Sequence, residues 1–165
     1  MASQRIIVLM GSKSDRAFAR KVGEFLKQEG FNVEYEYVVS SAHRTPDILL
    51  QKLKEHEKEG DNIVYVTIAG LSDALSGVTA GFSTRPVIAC PPDIEKYGPM
   101  KAFSSVMTPT GVPVMLVSKP ENAALAAVKI LAIGNPSLNQ EVEAYIQKKR
   151  KEVVEADSEV AGESH

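Results

Sequence analysis

The chain has 165 residues and a formal net charge of −2, enough length for one well-buried core, and it reads as a single domain over 1–165. Basic residues are spread rather than massed, which argues against a nucleic-acid surface. No run approaches a membrane span and Met1-Ala2-Ser3-Gln4-Arg5 passes straight into a strand-like run, so neither a membrane anchor nor a signal peptide is expected. The lone Cys90 excludes an internal disulfide and any cysteine-based metal cluster, and a cytoplasmic protein is the expectation.

Ile6-Ile7-Val8-Leu9-Met10 is short, apolar and β-branched, as suits a strand buried on both faces. Phe18, Val22, Phe25 and Leu26 then fall at helical spacing, with Ser14 or Asp15 able to cap the start and Gly30 placed to end it. Residues 33–39 read as a second strand, in which Glu34 and Glu36 alternate with Val33, Tyr35 and Tyr37. That alternation predicts one exposed side and a place at the sheet edge. Thr45-Pro46 opens the next helix, Thr as N-cap and Pro at the first helical position, and Gly60 closes it. A third buried strand over 63–69 runs into the loop Gly70-Leu71-Ser72-Asp73 and a short helix reaching Gly81.

Residues 86–89 and 113–117 make two more strands, with a helix over 101–107 between them and an alanine-rich helix over 123–133 after an Asn122 cap. Strand and helix alternating through short connections mean a three-layer α/β/α domain with a mainly parallel five-stranded sheet, flavodoxin-like or Rossmann-like, its core over about 5–134. After Gly134-Asn135-Pro136 an extension helix over about 136–156 carries Leu138, Val142, Tyr145, Ile146 and Val153 on one stripe. The stripe packs either on its own subunit or across an oligomer interface. The polar tail 157–165 is expected to fray.

In such folds ligands bind beyond the carboxyl ends of the strands, and three loops there are unusual. Gly11-Ser12-Lys13-Ser14-Asp15 combines a glycine, two hydroxyls and a helix N-terminus, a plausible anion cradle as well as a plain capping loop. Asp15 could cap the helix or accept hydrogen bonds from ligand hydroxyls such as those of a ribose. The loop is neither a Walker loop nor a G-x-G-x-x-G fingerprint. In Ser41-Ala42-His43-Arg44 the guanidinium suits a phosphate or carboxylate, and the imidazole suits proton transfer near neutral pH. The run from Ala69 to Gly77 is rich in small residues that let a ligand approach the backbone, or a helix pack closely. Cys90 lies between Ala89 and Pro91 with no histidine near in sequence, His56 lies on what reads as a solvated helix face, and His165 is in the tail. Three scattered histidines make no metal site.

These loops give the chain a resemblance to the catalytic component of phosphoribosylaminoimidazole carboxylase. The resemblance covers about 6–133 and rests on Met10-Gly11-Ser12-Lys13-Ser14-Asp15, Ser41-Ala42-His43-Arg44-Thr45-Pro46 and the Ala69-Gly70 loop. It implies a role in de novo purine biosynthesis, acting on 5-aminoimidazole ribonucleotide (AIR). Carried over by motif, Ser12, Ser14 and Asp15 would hold phosphate or ribose, and Arg44 the phosphate. Ser41 and Ala42 would shape the pocket, Gly70, Ser72 and Asp73 would complete it, and His43 would be the catalytic acid/base. The family has a mutase branch, with a longer, histidine-containing third loop, and a branch that uses carbon dioxide directly. The shorter histidine-free loop here, with Cys90-Pro91-Pro92 and Phe103-Ser104-Ser105, resembles the direct branch.

On that reading AIR is carboxylated at C4 to 4-carboxy-5-aminoimidazole ribonucleotide (CAIR) with no metal, biotin or ATP, by a homo-octamer or homotetramer. Leu71 and Asp73 depart from the basic residue and asparagine usual there, and Arg44 from a frequent lysine. Asp73 would be unfavourable beside a forming carboxylate unless protonated or turned away. The alternatives are the N5-carboxyaminoimidazole ribonucleotide mutase and a flavodoxin-like binding module. The chain has no tryptophan to flank a flavin, and Gly11 and Gly70 stand where a receiver module needs strand-end acids.

Overall fold

Unbroken burial from Ile6 to Met10 makes β1 (Gln4–Met10) an interior strand, and the rest of the sheet is laid on either side of it. The computed structural model describes residues 3–162. β2 (Glu34–Val39) and β3 (Asn62–Ile68) both pair with β1 in parallel, and β4 (Val87–Ala89) and β5 (Met115–Leu116) continue outward from β3. The five strands run in the order β2-β1-β3-β4-β5. This is the flavodoxin-like order, and its reversal of winding between β1 and β3 opens a crevice at their carboxyl ends.

Helices cover both faces. α1 (Arg16–Glu29) and α6 (Pro120–Ala132) pack through Ala19, Val22, Leu26, Ala124, Ala127 and Val128 against Ile6, Val8, Val64 and Val66. On the other face α2 (Pro46–Lys58) and α3 (Ala74–Phe82) bring Leu49, Leu53 and Leu75 onto Ile7, Leu9 and Tyr65. Each fully buried aliphatic side chain contributes about 1.5–3 kcal/mol. Gly30 ends α1 at φ 75, with its N–H returned to the last turn, a left-handed cap that glycine adopts without a Cβ penalty. Pro46 and Pro120 each sit in the first turn of their helices. α6 thus begins before Asn122, because the pyrrolidine ring presets its first φ.

Several expectations are corrected by packing. β2 is the edge strand, as its alternation predicted, and Glu34 is exposed, but Glu36 is half-buried in ion pairs, 3.1 Å from Arg5 and 3.3 Å from His56. Tyr37 and Val39, expected on the covered side, are exposed as well. His56 is buried, not solvated, with Nδ1 3.1 Å from the Tyr65 hydroxyl; α2 turns this histidine inward where Tyr65 and Glu36 can satisfy both ring nitrogens. Arg5 also pairs with Glu59 and Asp61, so this charged cluster sits at the amino ends of β1 and β3.

α4 (Ile94–Tyr97) and α5 (Met100–Val106) fill the connection from β4 to β5. α7 (Pro136–Gly162) continues past residue 156, so residues 157–162 extend the helix instead of fraying; His165 lies outside the described residues. Leu138 and Val142 are buried against α6, and Tyr145 closes an aromatic cluster with Phe25 and Phe31. The proximal half of the stripe therefore packs on its own subunit. Ile146, Val153, Val154 and Val160 remain exposed. Among the described residues no helix is long and apolar enough to cross a membrane.

Candidate active site

Three strand ends converge at the crevice. The N–H of Gly11 donates to the Ile68 carbonyl at 2.9 Å, and the N–H of Ser40 donates to the Met10 carbonyl at 2.9 Å, so the parallel ladder carries on into the loops and sets them edge to edge. Between them lies a cavity of about 420 Å³, of a size that suits a small-molecule ligand. Its lining includes Ser12, Ser14 and Asp15 from the first loop, Ser41, Ala42, His43 and Arg44 from the second, and Gly70, Leu71, Ser72 and Leu75 from the third. Residues from Ser12 to Leu75 are thus drawn together by one topological feature. The lining holds one histidine and no phenylalanine, tyrosine or tryptophan.

The first loop is built by a capping exchange. Ser12 caps a short 3-10 turn, Lys13–Asp15, that leads into α1. Its Oγ accepts from the Ser14 N–H at 3.3 Å and the Ser14 hydroxyl at 2.9 Å, and its own N–H donates to Asp15 Oδ2 at 3.1 Å. The capping residue is Ser12, not Ser14. Asp15 occupies the N-cap position of α1 without a side-chain cap bond, because its carboxylate is turned back into the loop. Burial raises the Asp15 pKa above the ordinary carboxylate value, the Ser12 N–H opposes this, and Asp93 nearby adds to it.

The second loop is a turn tied by Thr45. The Thr45 hydroxyl accepts the Ser41 N–H at 3.1 Å and donates to the Ser41 carbonyl at 3.2 Å, while Ser41 Oγ accepts the Arg44 N–H at 3.2 Å. Thr45 stands at the N-cap of α2 but its hydroxyl makes no cap bond; it closes the loop instead. The turn leaves His43 and Arg44 both exposed at the cavity mouth. A rigid backbone with two unburied polar side chains can receive an anion and exchange protons with it.

The third loop departs from expectation at Asp73. Its side chain is buried and caps α3, accepting the Ser76 N–H at 3.0 Å and the Ser76 hydroxyl at 2.6 Å. Ser76 Oγ lies in turn 2.7 Å from Thr67 Oγ1. The carboxylate is committed to the helix start, so Asp73 does not line the cavity with Gly70 and Ser72. Cys90 is fully buried, its thiol pushed up to about 12 by burial, with Glu121 adding to it. Such a thiol is protonated at neutral pH and unsuited to nucleophilic attack. Among the described residues no three of His, Cys, Asp and Glu converge as a metal set.

Sequence reasoning missed Asp93 and Lys101. Lys101 is nearly fully buried and its Nζ donates to the Ala69 carbonyl at 3.4 Å, while Asp93 accepts the Leu71 N–H at 2.7 Å. These partners are 32 and 22 residues apart in the chain. Nothing local marks them: a lysine on a short helix ordinarily reads as solvated.

An open parallel sheet with a hydroxyl-rich helix start, an arginine and a histidine around one switch-point cavity is the arrangement of an α/β enzyme acting on a small molecule. Comparison with known proteins carries this further. A family model described as AIR carboxylase matches residues 5–152. A phosphoribosylaminoimidazole carboxylase of Archaeoglobus fulgidus is 40% identical over 94% of this chain and 84% of its own length. An N5-carboxyaminoimidazole ribonucleotide mutase of Methanocaldococcus jannaschii is 39% identical over 94% of this chain and 96% of its own. The crystal structure of Treponema denticola PurE superposes with a TM-score of 0.88 at 37% identity, covering 94% of this chain and 97% of that one. The chain belongs to the AIR carboxylase family of purine biosynthesis.

Proposed function

We propose that this chain is the direct carboxylase of its family, joining carbon dioxide to C4 of AIR to give CAIR. The observation that carries the reading is the third loop. It is short, it brings no histidine to the cavity, and its one acid, Asp73, is turned away into the α3 cap. His43 is thus the histidine available for proton transfer, and no carboxylate of that loop opposes a forming carboxylate.

In this reading the first two loops hold the phosphate and ribose. The N-terminal turn of α1 presents N–H groups and a favourable dipole, the Arg44 guanidinium supplies charge, and Asp15 accepts from ribose hydroxyls. The third loop then faces the imidazole. The exocyclic amine pushes electrons through the ring, and C4 attacks the carbon of carbon dioxide, whose C–O π electrons move onto oxygen. C4 now carries both hydrogen and carboxylate. His43 takes the hydrogen as a proton, and the C–H electrons restore the aromatic ring. The ring is the electron source, so the scheme calls for no metal, biotin or ATP.

A second reading, the mutase, is favoured by the relatives of Methanocaldococcus jannaschii and Saccharolobus solfataricus, which are named N5-carboxyaminoimidazole ribonucleotide mutases. One assay separates the two. AIR and modest bicarbonate without ATP are followed by ultraviolet absorbance. Saturable turnover is expected; product only at very high bicarbonate, yet readily from the N-carboxylated isomer, would establish the mutase instead. The reading also expects a cytoplasmic homo-oligomer, an octamer or tetramer. Ile146, Val153, Val154 and Val160 on distal α7 offer apolar surface for a second copy to cover, and sedimentation velocity showing a monomer would overturn that part.

A further inference from the structure

The third loop does not hold its own shape. Side chains from residues 93–104 take four of its backbone groups. Lys101 Nζ donates to the Ala69 carbonyl at 3.4 Å and Asp93 Oδ2 accepts the Leu71 N–H at 2.7 Å. Ser104 Oγ accepts the Asp73 N–H at 2.7 Å and donates to the Leu71 carbonyl at 3.1 Å. Lys101 and Asp93 also face one another, Nζ to Oδ1 at 3.6 Å, with side chains only 3% and 15% exposed. Lysine is almost never buried to this degree unless paired. Asp93 Oδ1 is buried with no hydrogen-bond partner, so the ammonium is what offsets its charge.

The clamp acts where the backbone is least willing. Leu71 has φ 57, the one positive φ at a non-glycine residue among those described. Its side chain is no anchor, since the residue is 68% exposed. A branched residue stays in the left-handed region only when its surroundings over-determine it, and here both its N–H and its carbonyl are taken. Gly70 fits the same account: a Cβ there would lie 3.2 Å from Asp93 Oδ2. Gly70, Leu71 and Ser72 are also the stretch of this loop that lines the cavity.

We propose that Asp93 and Lys101 are positioning residues, a buried charge pair that with Ser104 fixes the Gly70–Ser72 backbone as the wall of the reaction cavity. The proposal rests on the carboxylase reading for what that wall serves, namely the carboxyl-transfer end of the ligand and not its phosphate. Neither side chain reaches the cavity. Their effect passes through the loop.

The test compares the full chain with two variants. Removing one member of a buried pair leaves an unpaired charge and risks unfolding, so both are replaced together, Asp93→Leu with Lys101→Met. The second variant is Ser104→Ala, at an exposed position whose loss the fold tolerates. Hydrogen exchange at the Leu71 and Asp73 amides is read without substrate, and an increase of about tenfold or more is expected in either variant that folds. With AIR and bicarbonate, kcat is expected to fall about tenfold or more while AIR affinity stays within about threefold, since misplacement of this kind costs rate rather than ligand binding. Exchange at wild-type rates in a folded variant overturns the proposal, as does a loss confined to AIR affinity. Absence of turnover in the wild-type chain would instead count against the carboxylase reading, and the exchange comparison would still decide the clamp.

Discussion

His43 and Arg44 leave the same turn side by side, yet the proposed mechanism gives them different work. The turn is held by Ser41 and Thr45 through backbone and hydroxyl groups, so replacing either exposed side chain leaves its geometry in place. His43→Asn is expected to lower turnover by at least about 100-fold, the contribution of a positioned general base, with AIR affinity retained in a calorimetric titration. Near-full activity would remove His43 from the proton transfer. Asp15 makes a prediction of the opposite sense. Its folded-state pKa lies above the ordinary carboxylate value, chiefly through burial, so ionising it costs stability. That penalty is absent below the unfolded-state pKa and complete above the folded-state one. Asp15→Asn keeps an acceptor for the Ser12 N–H. It should melt higher than wild type at pH 7, with the difference closing as pH falls through the carboxylate range, and should bind the ribonucleotide less well. A lower melting temperature at pH 7 would mean the charge itself supports the turn.

At the scale of elements, the helix starts carry both stability and placement of the site. α1 begins from the Ser12–Asp15 exchange and α3 from Asp73 with Ser76, each directly beyond a strand that feeds the cavity. Asp73→Asn preserves an N-cap oxygen and should leave the melting temperature and kcat nearly unchanged. Asp73→Ala should cost about 0.5–2 kcal/mol, measurable by urea unfolding. A large loss of activity in a stable Asn variant would show that the carboxylate is needed by the ligand after all. The capping residues were legible as a set, since Ser, Thr and Asp before an apolar period mark a helix start. Which member caps was not legible. Asp15 stands at the N-cap of α1 as expected but makes no cap bond, Ser12 caps the 3-10 turn before it, and Thr45 ties a loop where a cap was expected, because the choice depends on where the preceding strand releases the chain.

Across the whole molecule, the parallel sheet fixes the site by its winding and α7 adds a layer outside it. Leu138 and Val142 are buried against α6, and Tyr145 packs with Phe25 and Phe31. Leu138→Ala is therefore expected to destabilise the fold by about 2–5 kcal/mol, read as an earlier denaturant midpoint. At the exposed Val153, Val154 and Val160 a polar substitution should instead leave monomer stability intact and shift any oligomer toward smaller species in sedimentation.

The alternation of strand and helix, the edge position of β2 and the three chemical loops were determined by the sequence alone. Hydrophobic period, glycine and proline punctuation and helix starts are local signals, and a parallel βαβ chain has few ways to wind. Only the tertiary structure decided that His56 is buried against Tyr65 and Glu36, that Asp73 turns into α3, and that Asp93 and Lys101 hold the third loop from beneath. Each of these depends on a side chain meeting partners from another element. A lysine 32 residues from the carbonyl it serves has no periodicity to announce it; burial and proximity, which exist only in the folded chain, give it its role.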